Sequence, residues 1–228
     1  MKKEEKEEQI VKHRKIKFAN ILVVLLLFYI IGYFIYRILV APINNIYIVN
    51  NKYLSDQEII DISGIRNYPS FILTTSFSIK NKLMKNSLIN DVKVTKKIGN
   101  VIEINVEEYE PLFVYDNKIL LSSGNTVDGD YNLPVIKNKI NDDILDKLIS
   151  KYQNVENEIR LLISEIEYVP NDIDKERFLI TMNDGNYVYI TLYKINSLNE
   201  YVKIVSSLNT NKNGILYLDS GNYFEVFD

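Results

Sequence analysis

One uncharged apolar run, Phe18 to Tyr36, preceded by the basic cluster Lys12, His13, Arg14, Lys15 and Lys17, constrains everything else in this chain. A helix crossing the hydrocarbon core of a bilayer needs about 20 apolar residues. Phe18 to Val40 supplies that length, with Arg37 as its only charged residue. Lys and Arg close to a span stay on the cytoplasmic side. No charged residue lies between Arg37 and Lys52, so the pattern predicts residues 1–17 inside and the chain from Ala41 onward outside. Arg37 lies near the exit, where its stem snorkels to the headgroups, and Tyr29, Tyr33 and Tyr36 suit the outer interface. Phe18, Tyr36 and Arg37 therefore mark the ends of a single-pass anchor. The rival reading is a cleaved signal peptide, whose apolar region is about 7 to 15 residues and ends in a small-x-small site. Here the run is longer, and its best cleavage candidate, Leu39-Val40-Ala41, is followed by Pro42.

Residues 41–228 suffice for one large or two small domains. The whole chain has net charge −3, and removing its basic tail leaves an acidic remainder, which argues against nucleic acid as a partner. Cysteine is absent, so disulfides, thiolate nucleophiles, lipid-modified cysteine and most structural zinc sites are excluded.

Ile46 to Val49 reads as a strand ending in the Asn50-Asn51 turn. Ser55-Asp56-Gln57-Glu58 is a capping box opening a helix that Gly64 stops in the left-handed conformation, with Ile65 as the accompanying apolar contact. A second helix is predicted over Ser76 to Asn86, its apolar face carried by Phe77, Ile79, Leu83 and Met84. Ile89 to Lys96 and Val101 to Val106 alternate as a hairpin around Gly99-Asn100. The order β-α-α-β-β is a compact α+β unit.

Beyond Pro111 the texture becomes strand-rich. Leu112 to Tyr115 and Lys118 to Leu121 flank Asp116-Asn117, Gly124 to Asn132 is a polar loop, and Leu133 to Ile136 is apolar. Asn141 to Leu162 has helical spacing, in one or two pieces. Ile163 to Tyr168, Phe178 to Met182 and Tyr187 to Leu192 are predicted strands, the last two joined at Asn183-Asp184-Gly185-Asn186. Ser197 to Glu200 reads as a second capping box, opening a helix with Leu198, Val202, Val205 and Leu208 on one face. A terminal hairpin pairs Ile215 to Leu218 with Tyr223 to Phe227.

With a short tail, one span and these two units, the chain resembles the bacterial cell division family FtsQ/DivIB. The segments carrying the resemblance are Ile46 to Asn51, Ser55 to Ile65, Leu88 to Val94 and Ile102 to Pro111, which are similar to the family's POTRA domain. Leu133 to Ile136, Asn183 to Asn186 and Gly214 to Leu218 are similar to features of its β domain. Departures fall in turns: Ser87 and Lys97 to Asn100 lack the usual Pro, and Asn50 replaces Gly. The resemblance implies a tail (1–17), a transmembrane helix (18–40), a POTRA-like domain (41–111) and a β domain (112–228). It further implies a non-enzymatic scaffold at the division septum, without cofactor or small-molecule substrate, that helps control septal peptidoglycan synthesis. Its implied partners are FtsL and FtsB/DivIC, bound by strand addition at the end of the β domain. The matching residues are Ile215, Tyr217, Tyr223, Phe224 and Val226. Aromatics there serve a core as readily as a partner.

No Gly-x-Ser-x-Gly or Ser-x-x-Lys occurs, and the one histidine, His13, sits in the basic tail. Asp128-Gly129-Asp130 lacks the spacing of a calcium loop and reads as a solvated turn. Glu103, Glu107, Glu108 and Glu110 read as a solvated, aggregation-resistant edge. Sequence leaves open that two carboxylates meet in space, as in a membrane-anchored carbohydrate-active enzyme. It also leaves open another POTRA-type transport or assembly protein, although neither tandem repeats nor barrel strands are visible.

Overall fold

The structure is a computed structural model and describes residues 18–208 and 212–227. The basic cluster with His13 lies outside the described residues. Helix α1 (Phe18–Val40) is unbroken, carries Arg37 in its last turn and has no buried residue. At about 1.5 Å per residue its 23-residue length matches a bilayer core. An exposed helix of this composition fits a membrane anchor.

The first unit contains β1 (Asn45–Val49), α2 (Asp56–Ser63), α3 (Ser76–Leu83), β2 (Ile89–Lys97) and β3 (Val101–Glu108). Both reciprocal bonds of the capping box at Ser55 and Glu58 are formed. Gly64 has φ 72°, and the N–H of Ile65 reaches the Ile60 carbonyl at 3.3 Å, so the helix stops as its sequence predicts. In the sheet the order is β1-β3-β2, with β1 parallel to β3 and β2 antiparallel to it. This corrects one expectation: β3, which carries Glu103, Glu107 and Glu108, is the central strand and not a solvated edge. Opposite Glu103 and Glu107, the side chains of Ile102, Ile104 and Val106 are fully buried with Ile59, Ile79 and Leu83. Helix α3 is shorter than expected and buries only Ile79 and Leu83, an i, i+4 pair. Phe77, about 200° round the helix from Ile79, points away from the core and is exposed, as is Met84 beyond the helix end.

The remaining strands form a nine-stranded sheet in the order β12-β11-β10-β9-β8-β7-β4-β5-β6. These are β4 (Pro111–Tyr115), β5 (Lys118–Leu121), β6 (Thr126–Val127), β7 (Val135–Ile136), β8 (Ile163–Tyr168), β9 (Arg177–Met182), β10 (Tyr187–Thr191), β11 (Gly214–Tyr217) and β12 (Tyr223–Val226). Positive φ at both Asp116 and Asn117 makes the tight β4–β5 turn. Parallel neighbours need a crossover. Helices α4 (Asp142–Tyr152) and α5 (Asn157–Arg160) provide it between β7 and β8. A 3₁₀ helix (Leu192–Glu200) followed by α6 (Tyr201–Ser207) provides it between β10 and β11. Ile144, Leu148, Tyr152, Leu198 and Tyr201 pack from these helices onto Phe113, Ile166, Phe178, Val188, Ile190 and Leu216 of the sheet.

The capping box expected at Ser197 is not formed. Leu192, Ile195 and Leu198 are all buried, and a spacing of three is the 3₁₀ period, so the chain is already helical when it reaches Ser197. The Glu200 carboxylate instead accepts from Lys203 Nζ at 3.0 Å. The buried side of α6 is Tyr201, Ile204 and Val205, while Val202 is exposed, contrary to the expected face.

The two sheets share apolar packing. Ile119 and Leu121 of β5 belong to the same buried cluster as Ile89, Val92 and Val106 of the first unit. Arg160 spans the same region: it donates to Glu110 at 2.8 Å and to the carbonyls of Val155 and Gln153 at 2.7 and 3.1 Å, with its guanidinium 5.5 Å from the Tyr152 ring centre. Truncating it strands three acceptors. Arg160→Ala is expected to lower stability by about 2–3 kcal/mol, measured as a shifted urea midpoint by circular dichroism. Lys175→Ala, which removes an exposed pair with Asp172 at 3.8 Å, is expected to leave the midpoint unchanged.

Candidate partner-binding edge

Strand β12 is the last of the nine and pairs on one side only, with β11, among the described residues. Its placement begins at the turn between β9 and β10. Asn186, almost fully buried, accepts the Gly214 N–H on its Oδ1 at 2.9 Å and donates from Nδ2 to the Tyr201 hydroxyl at 3.0 Å. That hydroxyl donates to Asp184 at 2.6 Å. Burial first, then the bond to Asp184, raises the pKa of Tyr201, so it stays a neutral donor. The motif Asn183 to Asn186 is thus more than a turn: it fixes where β11 starts beside β10. Gly214 then lies so close to β12 that an added Cβ would sit 2.1 Å from the Glu225 carbonyl oxygen and 2.7 Å from the Phe224 ring.

Alternation sorts the terminal residues between two faces. Leu216 and Leu218 are buried and Phe224 packs partly against the same core, so Phe224 holds β12 down. On the opposite face Tyr189, Tyr217 and Tyr223 stack in sequence across β10, β11 and β12, with ring centres 5.3 and 4.5 Å apart. Arg177 extends this row from β9, its guanidinium 3.7 Å from the Tyr189 ring centre. Its Nε also donates to Asp219 at 2.7 Å. Tyr217 donates to Glu225 at 3.1 Å, and burial followed by that carboxylate raises its pKa. Tyr223 is 50% exposed, Ile215 is half-buried and Val226 is exposed. The structure therefore brings Ile215, Tyr217 and Tyr223 to one face beside the open edge, and puts Phe224 and the exposed Val226 on the other. Sequence reading missed Arg177, Tyr189 and Asp219, and it read Asn186 and Gly214 only within a turn and a strand motif, not as the residues that seat β11 and β12. The shared parity of Tyr187, Tyr189 and Tyr217 was visible, but the parallel register joining them was not.

The carboxylates that left a glycosidase open are each occupied. Glu103 pairs with Lys97, Glu107 accepts from Asn90 at 2.8 Å, and Glu110 is held by Arg160. Glu108 accepts the N–H groups of Lys52, Tyr53 and Leu54 at 2.7, 2.7 and 3.0 Å. Among the described residues no group of three His, Cys, Asp or Glu side chains is placed to hold a metal ion.

A family model for the POTRA domain, FtsQ-type, matches residues 41–109. The chain is 28% identical to cell division protein DivIB of Bacillus subtilis (strain 168), over 98% of this chain and 90% of that protein. It is 30% identical to cell division protein DivIB of Bacillus cytotoxicus, over 96% of this chain and 88% of that one. The chain belongs to the DivIB family of cell division proteins. DivIB proteins are non-enzymatic. A solved structure of the major extracytoplasmic domain of the trans isomer of DivIB from Geobacillus stearothermophilus aligns with 46% of this chain and 98% of that domain. Its identity is 21% and its TM-score 0.39, too distant a likeness to argue from.

Two outcomes follow for this DivIB edge. Gly214→Ala is expected to cost about 1–3 kcal/mol through overpacking and to speed hydrogen exchange selectively in β11 and β12. Asp219 is only 11% exposed at its side chain. Burial pushes its carboxyl up, but the bonds and charge of Arg177, with Ser220, outweigh that and hold the pKa below the ordinary 3.8. Its contribution is therefore complete above pH 3.8 and is lost as pH falls through the lower native value. Asp219→Asn is expected to be less stable than the parent at neutral pH by about 1–3 kcal/mol. Urea midpoints taken at successively lower pH are expected to show that gap closing as the parent carboxyl protonates.

Proposed function

We propose that this protein is an anchored scaffold of the division machinery. In this reading α1 holds it in the plasma membrane with residues 1–17 in the cytoplasm. The POTRA-like domain (41–111) and β domain (112–228) then act outside the membrane at the septum. The observation that carries the proposal is the open edge of β12 at the end of a nine-stranded sheet, flanked by half-exposed tyrosines. Such an edge binds an extended partner through main-chain bonds, and alternate side chains give selectivity. The partners assigned to it are the single-span coiled-coil proteins FtsL and FtsB/DivIC. Through them the protein helps control septal peptidoglycan synthesis.

Ile215, Tyr217, Tyr223 and Val226 are assigned to the contact, and Phe224 supports it from beneath. Buried interface aromatics commonly contribute about 2 kcal/mol or more each, so Tyr217→Lys and Tyr223→Lys are expected to weaken binding by roughly 30-fold or more. The test is biolayer interferometry of the full chain in nanodiscs against the host's FtsL and DivIC ectodomains, with folding of each variant verified by circular dichroism. Undiminished binding by folded Tyr223→Lys would remove the edge from the proposal. Absence of binding by the parent chain would remove these partners.

A further inference from the structure

Four large apolar side chains of the first unit have no place in its core. Leu73 is 69% exposed and Phe77 74%, while Ile72 is exposed and Ile98 fully so. Scattered singly, such residues need no explanation. These four come from two segments that the chain ties to one point, the exit of α1. On one side the Ser70 hydroxyl donates to the Leu39 carbonyl, the Phe71 N–H to Ala41 at 2.9 Å and the Ile43 N–H to Pro69 at 3.0 Å. On the other, the β2–β3 turn receives the Asn44 N–H on the Asn100 carbonyl and the Asn44 side chain on the Gly99 carbonyl, both at 2.9 Å. The Asn100 side chain returns to the Pro42 carbonyl at 3.0 Å. Lys96 joins the two segments, donating to the Phe71 carbonyl with its ammonium 4.5 Å from the Phe71 ring centre.

We infer that Ile72, Leu73, Phe77 and Ile98 form an apolar rim that inserts into the membrane leaflet from which α1 emerges. The reading rests on α1 spanning the bilayer. Leu73 follows Ser70 by three residues, within about 10 Å of chain, and Ile98 adjoins Gly99. Both therefore lie close to the end of the span, near the headgroup and acyl boundary where apolar side chains of peripheral segments bury about 5–10 Å deep. The occupant is lipid because the rim is continuous with the surface α1 already gives to the bilayer. Its consequence is a second and third contact point around the helix, which restrains how the first unit tilts on its anchor.

The full chain contains no cysteine, so single cysteines report single sites. Leu73→Cys, Ile98→Cys, Gly32→Cys and Lys93→Cys are each labelled with an environment-sensitive fluorophore. Each is reconstituted alone into phosphatidylglycerol and phosphatidylethanolamine vesicles containing acyl-brominated lipid. The sites are exposed or face open space, so the label does not compete with the core. Labels at 73 and 98 are expected to lose emission as the mid-span label at 32 does, while the label at 93, in the middle of β2, keeps its emission. Quenching at 32 without quenching at 73 and 98 overturns the rim and leaves the anchor intact. Quenching at 93 as well overturns it in favour of general adsorption. No quenching at 32 overturns the anchor and the rim together.

Discussion

Three consecutive backbone N–H groups, those of Lys52, Tyr53 and Leu54, converge on the single carboxylate of Glu108. A buried or half-buried N–H without a partner is costly, so this segment between β1 and α2 depends on Glu108 to receive these groups. Glu108 ends β3, and two residues later Glu110 engages Arg160. The exit of the central strand is thereby fastened to both the segment before α2 and the helical layer of the larger sheet. Charged groups do here what a hydrophobic contact cannot: they fix direction as well as proximity. Ile119 and Leu121, which enter the same cluster as Val106, then seal the joint with apolar area.

A second constraint sits at the far end of the large sheet. Parallel pairing of β11 with β10 demands that the chain leave the sheet, cross it and return in register. The local devices that set the register are Asn186, which accepts the first N–H of β11, and Gly214, which lets β12 approach. The aromatic row Tyr189, Tyr217 and Tyr223 depends on that register, because a slip of one residue exchanges the faces of every side chain. The tyrosine row beside β12 is in this way an outcome of one buried asparagine and one glycine.

Local chemistry was legible in the sequence, and long-range pairing was not. The apolar length of α1, the Ser55 capping box, the Gly64 stop and the Asp116-Asn117 turn each depend on residues within a few positions, and each formed as read. Ser197 carried the same four-residue signature as Ser55, yet the 3₁₀ spacing of Leu192, Ile195 and Leu198 captured the segment first. Tertiary burial overrode a local signal. Glu103 and Glu107 looked like the guards of an edge because alternation cannot distinguish a central strand with one wet face from an outer one. The parallel partners of β3 and β10 are chosen by crossovers of tens of residues, for which no short motif exists.

The large sheet has two ends, and physics discriminates between them. At one end β6 is only two residues long, Thr126–Val127, and offers too few main-chain groups to hold a partner strand. At the other, β12 spans Tyr223–Val226 and carries one acidic residue, Glu225, whose carboxylate accepts from Tyr217. An open edge with few charges is ordinarily an aggregation hazard. Under the proposed function this edge is reserved for heterologous pairing. In that reading the short strand limits self-association by extended stacking, while the tyrosine row offers wide, rigid contact area to a matching partner. Selectivity, in that reading, resides in the face and affinity in the edge.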